Sequence, residues 1–380
     1  MRPFVLLLLA ALLVPLTGCE EPTTEIVPST PAADAAVDAP NAPSLLRSPE
    51  AGEKHFATLR QLTFGGQNAE AYWSFDEKRL IFQATRAGLT ADQIFVMDAD
   101  GSNLSLVSTG KGRTTCAYFL PKDERIVYAS THLGGDEPPT PPPFDPRLGY
   151  VWPIWFTYDI FTAKPDGTDL KRLTTTEGYD AEATVSPTGD RIVFTSTRDG
   201  DLDLYSMNLD GSDVKRLTDA PGYDGGAFFS WDGKKIVWRA PARDDIDADE
   251  TKKLLQRQLV RPNRLEIWIM DADGSNKTMV THNGAANFGP FWHPDNRRII
   301  FSSNMDDPKH QNFDLYLVDT ETGDVERVTT FQRKREGARR SDDFDGFPMF
   351  TSDGKRLVFC SNRYNDVPNE TNVFVADWQD

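Results

Sequence analysis

Two identical heptapeptides, MDADGSN at 97–103 and again at 270–276, set carboxylates at alternate positions. Oxygen ligands at that spacing can hold calcium, and an EF-hand loop closes with a bidentate Glu at position 12. Counting from Asp98 puts Thr109 there, and counting from Asp271 puts His282 there. Without a closing carboxylate, the reading that fits is Asp-Gly in a hairpin turn, where both residues tolerate positive φ. Other catalytic spacings are as thin. No G-x-S-x-G elbow occurs, which excludes a serine peptidase of the α/β-hydrolase kind. The five histidines, His55, His132, His282, His293 and His310, form no H-x-H or H-E-x-x-H pair. A zinc or manganese centre is therefore weakly supported, and no catalytic residue is assigned.

The 380 residues carry a formal charge of −17, which argues against nucleic acid and favours cations or basic partner surfaces. Arg2 precedes FVLLLLAALLVPL, a run suited to a signal-peptide core and too short to span a bilayer comfortably. It ends in Leu16-Thr17-Gly18-Cys19, which resembles the bacterial lipoprotein cleavage box. That resemblance implies a signal peptide over 1–19, lipidation of Cys19, and anchoring in the cell envelope. Glu20 after the cysteine implies the outer membrane, facing the periplasm, if the cell is Gram-negative. Residues 20–54 are rich in Pro, Ala and Thr and read as a disordered tether. Cys116 and Cys360 fall in different repeats and are expected to stay unpaired.

The elements that must position any site are repeated. Segment 182–218, EATVSPTGDRIVFTSTRDGDLDLYSMNLDGSDVKRLT, holds four short β-rich runs separated by turn residues. This is an antiparallel meander of strands a to d. Strand b recurs as RLIFQAT, RIVYAST, RIVFTST, KIVWRAP, RIIFSSN and RLVFCSN, and Gly167 and Gly211 of successive c–d turns stand 44 residues apart. A four-strand unit at that period predicts an all-β fold, a β-propeller of six blades. The last unit lacks strand d, whereas TLRQLT at 58–63 is a strand d without a unit. Pairing the two closes the circle and removes an open edge. The propeller is thus placed at 55–380, as a monomer.

These repeats, with the phrases SPTGD, SWDGK, DADGS and RLT, are similar to the TolB-type propeller repeat over roughly residues 55–380. The resemblance implies a non-catalytic binding or scaffold protein of the envelope. It also implies a protein or peptide partner, such as a peptidoglycan-associated lipoprotein, at the channel mouth. Propeller lyases acting on acidic oligosaccharides share the repeat, so the alternative is a metal-assisted carbohydrate-active enzyme or a glycan binder. No cofactor is assigned; a divalent cation is the one the acidic residues could take.

In such a meander the a–b and c–d turns share one face, and the b–c loops and d–a links share the other. All long insertions fall on the second face, including HLGGDEPPTPPPFDPRLGYVWPIW and RDDIDADETKKLLQRQLVRPNRLE. Loops on a rigid scaffold are where binding concentrates. His132, Tyr150, Trp152 and Trp155 in the first of these are candidate partner contacts, with Arg198 and Arg363 from other blades. At the start of each strand a the repeats align Asn68, Thr114, Asp180, Asp224, Asn287 and Asp345. Two positions on come Glu70, Cys116, Glu182, Gly226, Gly289 and Phe347. Asn68, Glu70, Asp180, Glu182, Asp224, Asn287 and Asp345 are expected to ring the channel mouth and bind a cation or basic group. The competing expectation pairs the acids with the Arg after strand b, Arg86, Arg198 or Arg363.

Overall fold

The computed structural model describes residues 43–330, 343–365, 367 and 369–380. The signal peptide, Cys19, most of the tether and the basic run at 333–340 lie outside the described residues. Six small antiparallel sheets surround one axis. Their innermost strands are Gln67–Trp73, Thr114–Phe119, Asp180–Val185, Gly225–Phe229, Asn287–Trp292 and Asp345–Phe350. Blade three shows the plan without insertions: Asp180–Val185, Ile192–Ser196, Asp203–Met207 and Lys215–Arg216 pair in sequence order.

The circle closes as the split repeat predicts. Phe56–Gln61 pairs antiparallel with Asn372–Trp378 of blade six, with Leu59 opposite Ala376. The residues just before it do more than a tether would. Leu45–Arg47 adds a fifth, outermost strand to that blade, with Leu46 opposite Arg60. Arg47 holds it by two bonds to Gln61 Oε1, at 3.0 and 2.7 Å. Composition alone could not show this, because the stabilising partner is the far end of the chain.

A side-chain device explains the recurring Leu-Thr at the end of strand d. The hydroxyl of Thr174, Thr218, Thr281 and Thr329 accepts from the backbone N–H of Ile160, Leu204, Ile267 and Leu315, at 2.8–2.9 Å. Ser108 does the same for Ile94. Thr63, from the N-terminal strand, does it for Val373 of blade six at 2.8 Å. The hydroxyl thus continues the sheet ladder one step past the short outer strand, satisfying a buried donor. The c–d turns work likewise. In MDADGSN, Ser102 donates through N and Oγ to Asp100 Oδ1, and Asn103 donates to Asp98 Oδ2 at 2.6 Å. The same bonds recur at Ser275 and Asn276. The carboxylates are occupied by the turn itself.

Candidate functional site

Every innermost strand carries a β-bulge at the same place, between Ala69 and Tyr72 in blade one and at the equivalent step in the other five. Inside it one residue adopts left-handed backbone: Glu70, Cys116, Glu182, Gly226, Gly289 and Phe347, with φ between +51° and +60°. For the four with side chains this conformation costs about 1–3 kcal/mol each, and bulges re-aim side chains. Deeper along the axis, the next layer fills the channel. Tyr72 of blade one and Phe228 of the opposite blade four approach to 5.3 Å between ring centroids, with Tyr118 and Phe291 packed on Phe228 at 6.1 and 5.2 Å. On the short-turn face below this plug, a cavity of about 40 Å³ lies among Trp73, Phe75, Trp231 and Phe350. That is room for little more than a water molecule. The opposite side of the plug is the long-loop side.

There the bulge residues converge. The Glu182 carboxylate accepts from Tyr179 Oη at 3.1 Å, from Tyr223 Oη, from Gly226 N at 2.5 Å and from Arg239 Nη2 at 3.2 Å. Arg239 also donates to Tyr223 Oη at 2.5 Å and lies over the rings of Tyr223 and Phe288. A side chain at position 226 would put its Cβ 1.7 Å from Arg239 Nη1, so glycine makes room for the guanidinium. Glu182 and Arg239 form a buried ion pair supported by the two tyrosine hydroxyls, with Arg239 Nε left without a hydrogen-bond partner among the described residues. Glu70 and Cys116 are half-buried beside it. Burial pushes the Glu70 carboxyl up to about 7; the Cys116 hydrogen bond opposes this, the Glu182 charge adds to it, and Arg239 opposes it. Burial, with the two glutamates, holds the Cys116 thiol well above its usual range, so it is a neutral donor. The recess combines one buried ion pair, one carboxyl that ionises near neutrality and one thiol.

The predicted ring splits in two. Glu70 and Glu182 face the recess. Asn68, Asp180, Asp224, Asn287 and Asp345 are at most 3% exposed and serve the blades instead. Arg198 Nη2 bonds Asp180 at 3.0 Å, Arg363 Nη2 bonds Asp345 at 2.7 Å, and Arg86 Nη1 bonds Asn68 at 3.2 Å. Trp238 Nε1 donates to Asp224 at 2.7 Å, and Asn287 Nδ2 donates to Leu265 O at 2.6 Å. The expected mouth is corrected at these five positions. They stand opposite the end of strand b, as Asp180 stands opposite Ser196, so the Arg following that strand reaches Asn68, Asp180 and Asp345, while Asp224 and Asn287 take Trp238 and Leu265 instead. Arg198 and Arg363 are consequently internal partners rather than free loop contacts. Arg363 is fully buried and also bonds Glu53 at 3.0 Å, tying in the chain ahead of the closing strand.

The aromatic loop residues are clasped. Trp152–Pro153 of blade two pairs with Leu259–Val260 of blade four as a separate two-stranded sheet. Asp247 caps the helix Ala248–Leu255 by accepting from Glu250 N at 2.9 Å, and Leu254, Leu255 and Leu259 are buried as its spacing predicts. Ile154, Trp155, Tyr158, Leu255 and Val260 join Tyr179 and Tyr223 in one apolar cluster. Trp152 bonds Tyr150 Oη at 2.7 Å and stacks on Phe288 of blade five at 5.2 Å. The two insertions thus bridge blade three and reach the edge of the recess. His132 does not join them. It bonds Ser130 Oγ at 2.8 Å and packs on Phe161, and burial with the nearby Lys111 and Arg172 charges lowers its pKa. Among the described residues no group of three or more His, Cys, Asp and Glu is placed to hold a metal ion, and Cys116 and Cys360 are free thiols.

The family model described as the TolB beta propeller domain matches residues 156–254, within blades two to four. The chain is a six-bladed β-propeller, similar over that stretch to the TolB propeller domain. Putative TolB from Agrobacterium tumefaciens is 16% identical with a TM-score of 0.51, over 84% of this chain and 92% of that one. TolB from Acinetobacter baumannii is 17% identical with a TM-score of 0.51, over 83% of this chain and 64% of that one. Oligogalacturonate lyase from Vibrio parahaemolyticus is 12% identical with a TM-score of 0.49, over 89% and 98%. At these identities the likeness shows the fold alone. A comparison with curated proteins finds no match.

Reading the TolB-like repeats in sequence missed Arg239, Tyr223 and Phe288. Arg239 stands in KIVWRAP where the other copies of strand b have the uncharged Gln83, Ala129, Thr195, Ser302 and Cys360, and that charge was the available signal. No helix among the described residues is long and apolar enough to cross a membrane.

Proposed function

We propose that this TolB-like propeller is a non-catalytic binding or scaffold protein of the cell envelope, taking a protein or peptide partner on its long-loop face at the recess of Glu70, Cys116, Glu182 and Arg239. The observation that carries the reading is the bulge repeated in every blade. It repeats one backbone step six times, with Glu, Cys, Gly or Phe in it, around an axis plugged by Tyr72 and Phe228. A partner can therefore be read at the mouth and cannot pass through. A basic side chain or amino terminus suits Glu70, whose carboxyl has no cation bonded to it among the described residues and ionises near pH 7. The match of residues 156–254 to the TolB propeller domain supports the class of partner. Lipidation of Cys19 would hold the propeller at a membrane surface through the tether.

Cross-linking pull-down from membranes tests the site. Glu70→Lys should reduce capture of the principal partner by about tenfold, the scale of one charge-assisted contact. Thermal melting checks that the blades are intact. An unchanged partner set with a folded Glu70→Lys protein would reject the recess. Fractionation tests the anchor: Cys19→Ser should move the protein from membranes to the soluble extract.

A further inference from the structure

The blade-two insertion contains Pro138-Pro139-Thr140-Pro141-Pro142-Pro143-Phe144-Asp145-Pro146, a stretch that the clasp with blade four does not use. Each proline fixes its own φ near −65°, and each residue before a proline is confined to extended backbone. From Glu137 to Pro143 every residue is a proline, precedes one, or both, so polyproline II is the conformation open to the run. No helix or strand is assigned from Pro138 to Asp145. Among the described residues no backbone hydrogen bond involves 137–144. The carbonyls of the run are therefore free to accept from a partner.

Both ends are fixed. Gly112 N donates to Asp136 O at 2.7 Å, and Lys111 Nζ pairs with Asp136 at 2.8 Å. At the other end Asp145 accepts from Arg147 N at 3.2 Å and pairs with Arg257 at 3.6 Å, while Arg261 Nη1 bonds Leu148 O at 2.7 Å. The run is an arch between two anchors. At its crest Phe144 is 70% exposed, the highest value among the large exposed apolar side chains. A partner that seats this ring would remove its apolar surface from water.

We propose that the arch from Asp136 to Pro146 is a preformed polyproline II ligand, taken by a partner through a groove lined with tryptophan or tyrosine rings that also seats Phe144. Such grooves accept proline pairs between aromatic faces and bond the free carbonyls, and a stiff, pinned ligand loses little conformational entropy on binding. Exposed Glu137 calls for a basic residue at the groove's end. This surface is separate from the recess and stands or falls independently of it.

The test replaces Phe144 with a photoreactive phenylalanine analogue in the full-length protein and irradiates membranes of the native host. The expected result is an adduct whose attachment site lies in a tryptophan- or tyrosine-rich segment of one partner. It should fall about tenfold in the Pro139→Ala, Pro142→Ala double variant and with excess synthetic 136–147 peptide, and persist in Glu70→Gln. Melting of the double variant should stay close to the parent, since these half-buried prolines belong to no blade strand. The proposal is overturned if no protein adduct forms, if only lipid is labelled, or if the adduct survives both the double variant and peptide competition.

Discussion

Two positions recur in every blade and teach opposite lessons. The hydroxyl at the end of strand d repeats in geometry and in residue type: Thr63, Ser108, Thr174, Thr218, Thr281 and Thr329. The bulge residue repeats in geometry but not in type: Glu70, Cys116, Glu182, Gly226, Gly289 and Phe347. Where the same bond must be made six times, one side chain suits all six. Where the backbone strain is kept and the side chain changes from blade to blade, the repeat is presenting different chemistry to one place. Strain held without a structural payload of its own is a sign of function. The strand-a acids belong with the first kind, since Asp180 and Asp345 both meet the Arg after strand b.

The contrast is breakable by substitution. Arg363→Ala should be the most damaging change, because it leaves Asp345 and Glu53 buried without their cation; breaking such a pair costs about 3–5 kcal/mol, measurable by denaturant unfolding. Thr63→Val should cost less, about 1–3 kcal/mol, by stranding the Val373 N–H. Because Thr63 belongs to the closing strand, proteolysis should then begin near the N-terminal edge of blade six.

Glu70→Gln should go the other way. The native Glu70 holds its proton to about pH 7, whereas its ordinary value is 4.5. The folded state therefore binds the extra proton between those values, and its contribution to stability is complete below pH 4.5 and lost as pH rises through 7. The glutamine variant should match wild type at low pH, exceed it at pH 8, and show a shallower decline between, in melts across that range. A steeper decline in the variant would contradict the assignment. The smallest effect is expected at Cys116→Ala. It removes a bond that lowers the Glu70 pKa, so NMR titration should move that carboxyl upward, with stability changing by about 1 kcal/mol or less.

Much of this was legible in the residues. The four-run unit, its six copies and the split final unit gave the blade count and the pairing of 58–63 with the last strand, because hairpin turns and alternating apolar runs are local signals. The recess was only half legible. Alignment found Glu70 and Glu182 but grouped them with Asp180 and Asp345, two residues away in the strand. Ordinary alternation would point all of these to one side; the bulge between them breaks it, and nothing in Glu, Cys or Phe announces a positive φ.

The chain's own order of residues thus determined the blades and the turns that punctuate them, since those depend on neighbours within about ten positions. Which acids face the axis, that Arg239 meets Glu182 from the next blade, and that Trp152 reaches Phe288 across the mouth were decided by assembly. These contacts join blades whose sequences carry no record of each other, and they exist only once closure brings six strands to a common axis.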